Sequence, residues 1–283
     1  MFKFSTLILL CVLIVSCNQR PRKNTAFYIN VGGEPSRLNP VGTTDAVASS
    51  IAGYVYESLL VRDIDTYEYK TALAESWSVS EDKMKFTFKL KKGIKFHDGV
   101  EFTAKDVKFS FDIYFMDKFN TIALRSYFEG IKEVRIINDY EVEFIAKDQF
   151  WQNFDRAAGL QIFPKHFYER DEKKSFFNKH LNGTGPYKLA LYARGSRIVL
   201  DQNKEWWGRK DPVFSKEWQF EKLVLRFVSD TNVALEMLKK GSLDYLGLRA
   251  EDYVKKTSGK QWGKSVHKVK TFNKMPKGYS FIA

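Results

Sequence analysis

From Met84 to Leu90 the chain alternates apolar and polar residues, with Met84, Phe86, Phe88 and Leu90 interleaved by Lys85, Thr87 and Lys89. Successive side chains leave a strand on opposite sides, so this period of two predicts a strand with one dry face and one wet face. Lys92-Gly93 is expected to turn it back through Ile94, Lys95 and Phe96. Similar runs predict a strand over Ala26 to Val31, broken at Gly32-Gly33, and a hairpin over Ile131 to Ala146 that turns at Asn138-Asp139. The stretches "RIVLDQN", "KLVLRFV" and "SLDYLGL" predict further strands between Arg197 and Leu248.

Helical spacing separates these strands. Val47, Ile51, Val55 and Leu59 fall four apart behind Thr44 and Asp45, which can cap a helix. Thr103 and Asp106 have capping-box spacing, with Asp in place of the usual Glu or Gln, and Val107, Phe111 and Tyr114 would face the core beyond them. Pro164 stands early in a short helix at "IFPKHF", where its missing N–H costs nothing. Asp230 caps a helix through Lys240 that stops at Gly241. Helices and strands mix without a repeat of fixed period, so the fold class is α/β, of mixed α+β order.

The 283 residues, 44% of them hydrophobic, suffice for one large or two modest globular units. The first residues are of another kind: Lys3 precedes an apolar run from Leu7 to Val15, then Ser16 and Cys17. That is the form of a secretory leader, and the run is shorter than the ~20 residues that span a bilayer. It resembles a bacterial lipobox, in which Cys17 becomes the acylated first residue of the mature chain. Cys11 would leave with the leader, so the mature chain keeps no thiol for a disulfide, a metal or nucleophilic attack. Loss of Lys3 lowers the net charge from +12 to +11. The 46 Lys and Arg are interspersed with 34 Asp and Glu, a solvated mixed surface rather than a nucleic-acid stripe.

Candidate chemistry is sparse. His97-Asp98 needs a nucleophile or metal beside it, and neither follows from the local sequence. The other histidines, His166, His180 and His267, stand apart, without the spacing that puts two ligands on one face. No G-x-S-x-G elbow is present. The Gly-rich "GTGPY", Gly183 to Tyr187, lacks the Gly-Lys-Ser/Thr end of a phosphate loop and reads as a hinge or tight crossover. Trp206-Trp207 would face opposite ways on a strand and reads as packing rather than as a binding wall.

Taken in order, "EPSRLNP", "YESLLVRD", "LAESWSVSEDKMKFTFKLKKGIKFHDGVEFTAKDVKFSF", "PKH", "GTGPYKL", "NKEWWG" and "LKKGSLD" resemble motifs of the family 5 extracellular solute-binding proteins. These are the oligopeptide, dipeptide and nickel-type receptors of ABC importers. Lys85 departs from the Ser or Thr usual there, at a position expected to face solvent. The resemblance implies a periplasmic-binding-protein-like fold of type II. Its expected divisions are a leader and lipobox over 1–17, a tether over 18–25, a first α/β lobe over 26–44 and 182–271, and an inserted smaller lobe over 45–181. Residues 272–283 would open a second, ligand-gripping lobe that is largely missing, together with the acidic residue that peptide receptors use to hold a ligand's amino terminus.

Ligands of open α/β sheets lie outside the carboxyl ends of the strands. Here that rule points to Thr43, Thr44, Asp45 and Ala46 after the first strand, and to Tyr245, Leu246, Gly247, Leu248 and Arg249 after the last. The resemblance implies a monomeric, lipid-anchored, extracytoplasmic protein that captures a peptide by lobe closure and hands it to an ABC permease, without chemistry, metal or cofactor. Two other readings stay open: an extracytoplasmic hydrolase, and a binding or signalling lipoprotein that has lost transport.

Overall fold

The computed structural model describes residues 25–260 and 262–269. The expected leader, Cys17, most of the tether and the segment 272–283 lie outside the described residues. In chain order the elements are β1 (Ala26–Asn30), α1 (Ala46–Val55), β2 (Leu60–Arg62), β3 (Tyr69–Thr71), β4 (Ala74–Val79), β5 (Lys85–Leu90) and α2 (Ala104–Asp112). The one-turn α3 (Ile122–Arg125) leads to the hairpin β6 (Ile131–Asn138) and β7 (Glu141–Ala146), then to α4 (Gln152–Ala158), α5 (Lys165–Tyr168) and α6 (Lys174–Phe177). β8 (Tyr187–Ala193), β9 (Arg197–Gln202), β10 (Lys222–Arg226), α7 (Thr231–Lys239), β11 (Tyr245–Leu246) and α8 (Ala250–Lys255) follow.

Two sheets organise them. One has the order β11-β1-β10-β9-β8, with β1 parallel to both β10 and β11, and β9 antiparallel to its two neighbours. The other is the antiparallel order β4-β5-β7-β6. Phe86, Phe88 and Leu90 are buried and Lys85 and Lys89 exposed, as the alternation predicts. One apolar core runs from Val55 and Leu59 through Phe88 and Phe144 to Tyr187 and Leu225, joining both sheets.

The helix caps are those read from the sequence. Asp45 Oδ1 accepts the N–H groups of Val47 and Ala48 at 2.9 and 3.1 Å, and Asp230 Oδ1 those of Asn232 and Val233 at 2.8 and 2.9 Å. Each accounts for two of the donors a helix start leaves unpaired. Asp106 Oδ2 reaches back to the Thr103 N–H at 2.9 Å, while its Oδ1 accepts the Lys165 N–H, also at 2.9 Å. One buried carboxylate therefore fixes the start of α2 and the start of α5.

One expectation changes, and one strand goes unread in the sequence. The Ile94-Lys95-Phe96 stretch does not return along β5; it closes a small loop by a bridge from Lys95 to Glu101, and β5 is flanked by β4 and β7 instead. β4 escapes the pattern because all of it except Ala74 is exposed, so it carries no apolar alternation. Tyr54 of α1 packs edge-on against Tyr187 of β8 in the five-stranded sheet.

The "GTGPY" stretch is a backbone crossing. The Gly185 N–H donates to the Val55 carbonyl at 2.9 Å, and a Cβ on Gly183 would stand 2.0 Å from that same oxygen. Glycine is there because two main chains touch.

Candidate functional site

The parallel strands β1, β10 and β11 end at one edge of the first sheet, and β8 points the same way. The end of α1 lies beside Tyr187, at the start of β8. A helix running back against the strands therefore begins at their carboxyl edge, which puts Thr43 to Ala46 there. β11 pairs with β1 through Ile29 with Tyr245 and Asn30 with Leu246, which puts the second predicted group at the same edge.

Side-chain clasps hold this edge. Asn30 donates to the Val228 carbonyl at 3.0 Å and accepts the Val228 N–H at 3.1 Å, tying the loop after β1 to the loop after β10. Glu34 accepts the Tyr192 hydroxyl at 2.7 Å and the Gly195 N–H at 2.9 Å, reaching the β8–β9 turn. The Tyr192 hydrogen bond holds the Glu34 carboxyl below its usual range, with smaller help from Gly195 and Arg194 against the cost of burial.

Within the first predicted group, Thr43 is buried and its hydroxyl accepts the Asp45 N–H at 3.2 Å. Thr44 and Ala46 are exposed. Asp45 has both oxygens in use: Oδ1 caps α1, and Oδ2 accepts the Ser36 N–H at 2.9 Å and its hydroxyl at 3.2 Å. Burial works against its charge, but the hydrogen bonds from Ser36, Ala48 and Val47 outweigh burial and keep the carboxyl below its ordinary range.

In the second group, Tyr245, Leu246, Gly247 and Leu248 line a cavity of about 540 Å³ with Tyr253 and Trp262 among its other walls. That volume is in the range of small-molecule sites. Gly247 has open space where a Cβ would sit, so a ligand can approach its main chain closely. Arg249 lies outside the cavity wall and stands at the position before α8, without a side-chain hydrogen bond to the helix start. No described hydrogen bond or ring contact joins the two groups; they share the sheet edge.

Long-range partners were beyond local sequence reading. Glu57 Oε1 accepts the Trp206 indole N–H at 2.9 Å and Oε2 that of Trp207 at 3.0 Å. The two tryptophans thus point to one carboxylate rather than to opposite faces, because they sit in a loop entering a 3-10 turn and not on a strand. Burial pushes Glu57 up to about 7, against the two indoles and the Lys91 charge. The signal available was a lone acid inside the apolar run "YESLL".

His97 and Asp98 part company. His97 Nε2 donates to the Gly185 carbonyl at 2.9 Å and the His97 N–H to the Gly183 carbonyl at 2.8 Å, which latches the glycine crossing. Asp98 Oδ2 accepts from His166 Nε2 and Asn182 Nδ2, both at 2.7 Å. His166, apart in sequence, is thus brought to Asp98; no serine or threonine hydroxyl among the described residues is hydrogen-bonded to either. Among the described residues no group of His, Cys, Asp and Glu is placed to hold a metal ion.

The chain thus forms a sheet whose parallel strands end at one edge, with a cavity beside its edge strand β11 and a second sheet inserted in the chain between β1 and β8. The sequence profile of the bacterial extracellular solute-binding proteins, family 5 middle region, matches residues 68–281, and the chain belongs to that family. The oligopeptide-binding protein AppA of Bacillus subtilis is 27% identical over 268 residues, covering 88% of this chain and 48% of AppA. Its structure in complex with a nonapeptide superposes with a TM-score of 0.68 over 81% of this chain and 45% of that one, at 27% identity. Protein XP55 of Streptomyces lividans is 31% identical over 218 residues, 76% of this chain and 38% of XP55. NikZ of Campylobacter jejuni, in complex with Ni(L-His), gives a TM-score of 0.67 at 28% identity over 79% of this chain and 43% of NikZ. The chain spans about half the length, or less, of the curated relatives it matches.

Proposed function

We propose that this chain captures a small peptide at the carboxyl edge of its five-stranded sheet and serves an ABC importer, as a monomer and without catalysing a reaction. The observation that carries the reading is the Leu246–Leu248 stretch: it lines the cavity, follows an edge strand and includes an unobstructed glycine. An edge strand offers its outer main-chain groups to an extended ligand, which binds a peptide backbone irrespective of its side chains. AppA is named for oligopeptide binding and its structure holds a nonapeptide; NikZ holds a nickel complex, so the fold alone does not select the solute. In this reading Thr43, Thr44 and Asp45 shape the opposite lip, Tyr245 and Arg249 flank the ligand, and closure against a second lobe holds the solute by contacts made only in the closed state. Strands β1 and β8 to β11 fall in the ranges 26–44 and 182–271 proposed for the first lobe, and β2 to β7 in the insert. Acylation of Cys17 would keep the protein at the extracytoplasmic membrane face.

Calorimetric titration of the full chain with a mixture of tripeptides tests this. Saturable binding is expected, and Gly247→Val should weaken it by about tenfold while leaving the thermal midpoint unchanged, because the added side chain meets only solvent and ligand. Equal binding by the variant removes the main-chain role of this stretch. Cleavage of the peptides in the same sample, read by mass spectrometry, would replace the transport reading with the hydrolase one.

A further inference from the structure

The opposite end of the five-stranded sheet carries a different kind of surface. Its register forms a row, Ala26 beside Lys222, Lys222 beside Asp201, and Asp201 beside Lys188. This row is the amino end of β1, four residues before Asn30, so it lies roughly 13 Å along the strand from the solute edge. The described chain begins there, with the Thr25 carbonyl accepting the Lys222 N–H at 3.2 Å.

Beside Lys188 opens a cleft of about 440 Å³, lined by five basic side chains, Lys95, Lys188, Lys204, Arg209 and Lys210, against one carboxylate, Glu205. Its floor is made of Ile94, Phe96 and Trp206, all buried. Two of the cations have main-chain anchors: Lys188 Nζ donates to the His97 carbonyl at 3.2 Å and Arg209 Nε to the Asn203 carbonyl at 3.3 Å. Lys95, Lys204 and Lys210 enter no ion pair among the described residues, although eighteen other described lysines and arginines, among them Lys91 with Asp211, Lys222 with Asp201 and Lys108 with Asp112, do so or stack on rings. Glu101, the carboxylate that feels Lys95, is hydrogen-bonded by Tyr140 instead. Like charges gathered round an apolar floor repel one another unless an outside anion compensates them.

We infer that this basic cleft docks on the phosphate headgroups of an anionic bilayer, so that the amino end of the sheet faces the membrane and the solute edge faces away from it. The orientation rests on the proposed anchoring at Cys17; the cleft's affinity for headgroups does not. A bilayer is favoured over a soluble anion because Lys95, Lys204 and Lys210 are exposed around the cleft, at the end of the sheet where the described chain begins, and clustered lysines near an anionic leaflet add their attractions.

The test separates the two claims by using the unlipidated full chain, Cys17→Ser, in sedimentation with vesicles. Binding to phosphatidylglycerol vesicles and not to phosphatidylcholine vesicles is expected, weakening as salt is raised. The triple variant Lys95→Gln, Lys204→Gln and Lys210→Gln should lose about tenfold or more of that binding while keeping its thermal midpoint and its peptide titration. Equal binding to both vesicle types, or no loss in the triple variant, overturns the inference. So does displacement from the vesicles by millimolar inorganic phosphate, which would make the cleft a small-anion site. Whether native Cys17 carries lipid is read separately by mass spectrometry, so failure of anchoring and failure of docking are distinguishable.

Discussion

Replacing Gly183 by alanine is expected to destabilise the fold by about 3 kcal/mol, the upper end of what overpacking costs. The new Cβ would stand 2.0 Å from the Val55 carbonyl oxygen and 2.7 Å from its carbon, and both belong to a main chain rather than to a side chain that can swing away. Neither strand of the crossing is free to retreat. The Gly183 carbonyl accepts the His97 N–H at 2.8 Å, and the Val55 carbonyl accepts the Gly185 N–H at 2.9 Å. Gly33→Ala, where nothing lies within 4 Å of the added carbon, should stay within about 0.5 kcal/mol of the parent. Urea unfolding of the two variants reads the contrast, and equal midpoints would mean that the crossing is looser than its distances indicate.

The second large effect is in the pH dependence of stability. Burial pushes the His97 imidazole down to about 4 from 6.5, and the Lys188 charge adds to this against the Gly185 hydrogen bond and the Asp98 charge. The geometry agrees: Nε2–H donates to the Gly185 carbonyl, while Nδ1 faces the Gly183 N–H at 3.5 Å and accepts from it. A second proton would set two donors against each other. The unfolded chain therefore binds a proton that the folded chain refuses between pH 6.5 and 4, and stability falls by roughly 3 kcal/mol as pH drops through that window. Glu57, raised from 4.5 to about 7, acts in the opposite sense. Its folded form keeps a proton that the unfolded form has lost, so it favours the fold as pH falls from 7 to 4.5, by a similar amount. The two contributions nearly cancel in the parent. His97→Gln, whose amide can still donate to Gly185, should gain stability toward acid relative to the parent; Glu57→Gln should lose it. Denaturant midpoints at pH 6.8 and 4.8 decide this, and parallel profiles for the three proteins would show that neither group titrates in the window.

Features written in short stretches of sequence were legible. Asp45, Thr103 with Asp106, and Asp230 act within three residues of themselves, and β5, β6, β7, β9 and β10 follow from alternation. That both candidate residue groups lie at one edge of the sheet was legible as a region, because a loop after a parallel strand has a fixed place. What each residue does there was not: Asp45 reads as a free carboxylate until Ser36, nine positions away, takes its second oxygen. β4 has five exposed residues and so carries no period to read, whereas the two-residue β11 falls inside the stretch "SLDYLGL" from which a strand is predicted. The remaining misses are long-range pairs, Glu57 with Trp206 and Trp207, Gly185 with Val55, and Asp98 with His166, whose partners are separated by between 68 and 150 positions. His97-Asp98 looked like one reactive unit and is two separate latches, one on the glycine crossing and one on the start of α5.

Hydrogen–deuterium exchange of the full chain, with and without a saturating tripeptide mixture, tests the central claim most directly because it locates the ligand as well as detecting it. Slowed exchange confined to residues 41–46 and 245–249 is the expected result, with the inserted sheet from Ala74 to Ala146 unchanged. Protection on the inserted sheet, or at the Glu57 side of the molecule with none at the carboxyl edge, would contradict it.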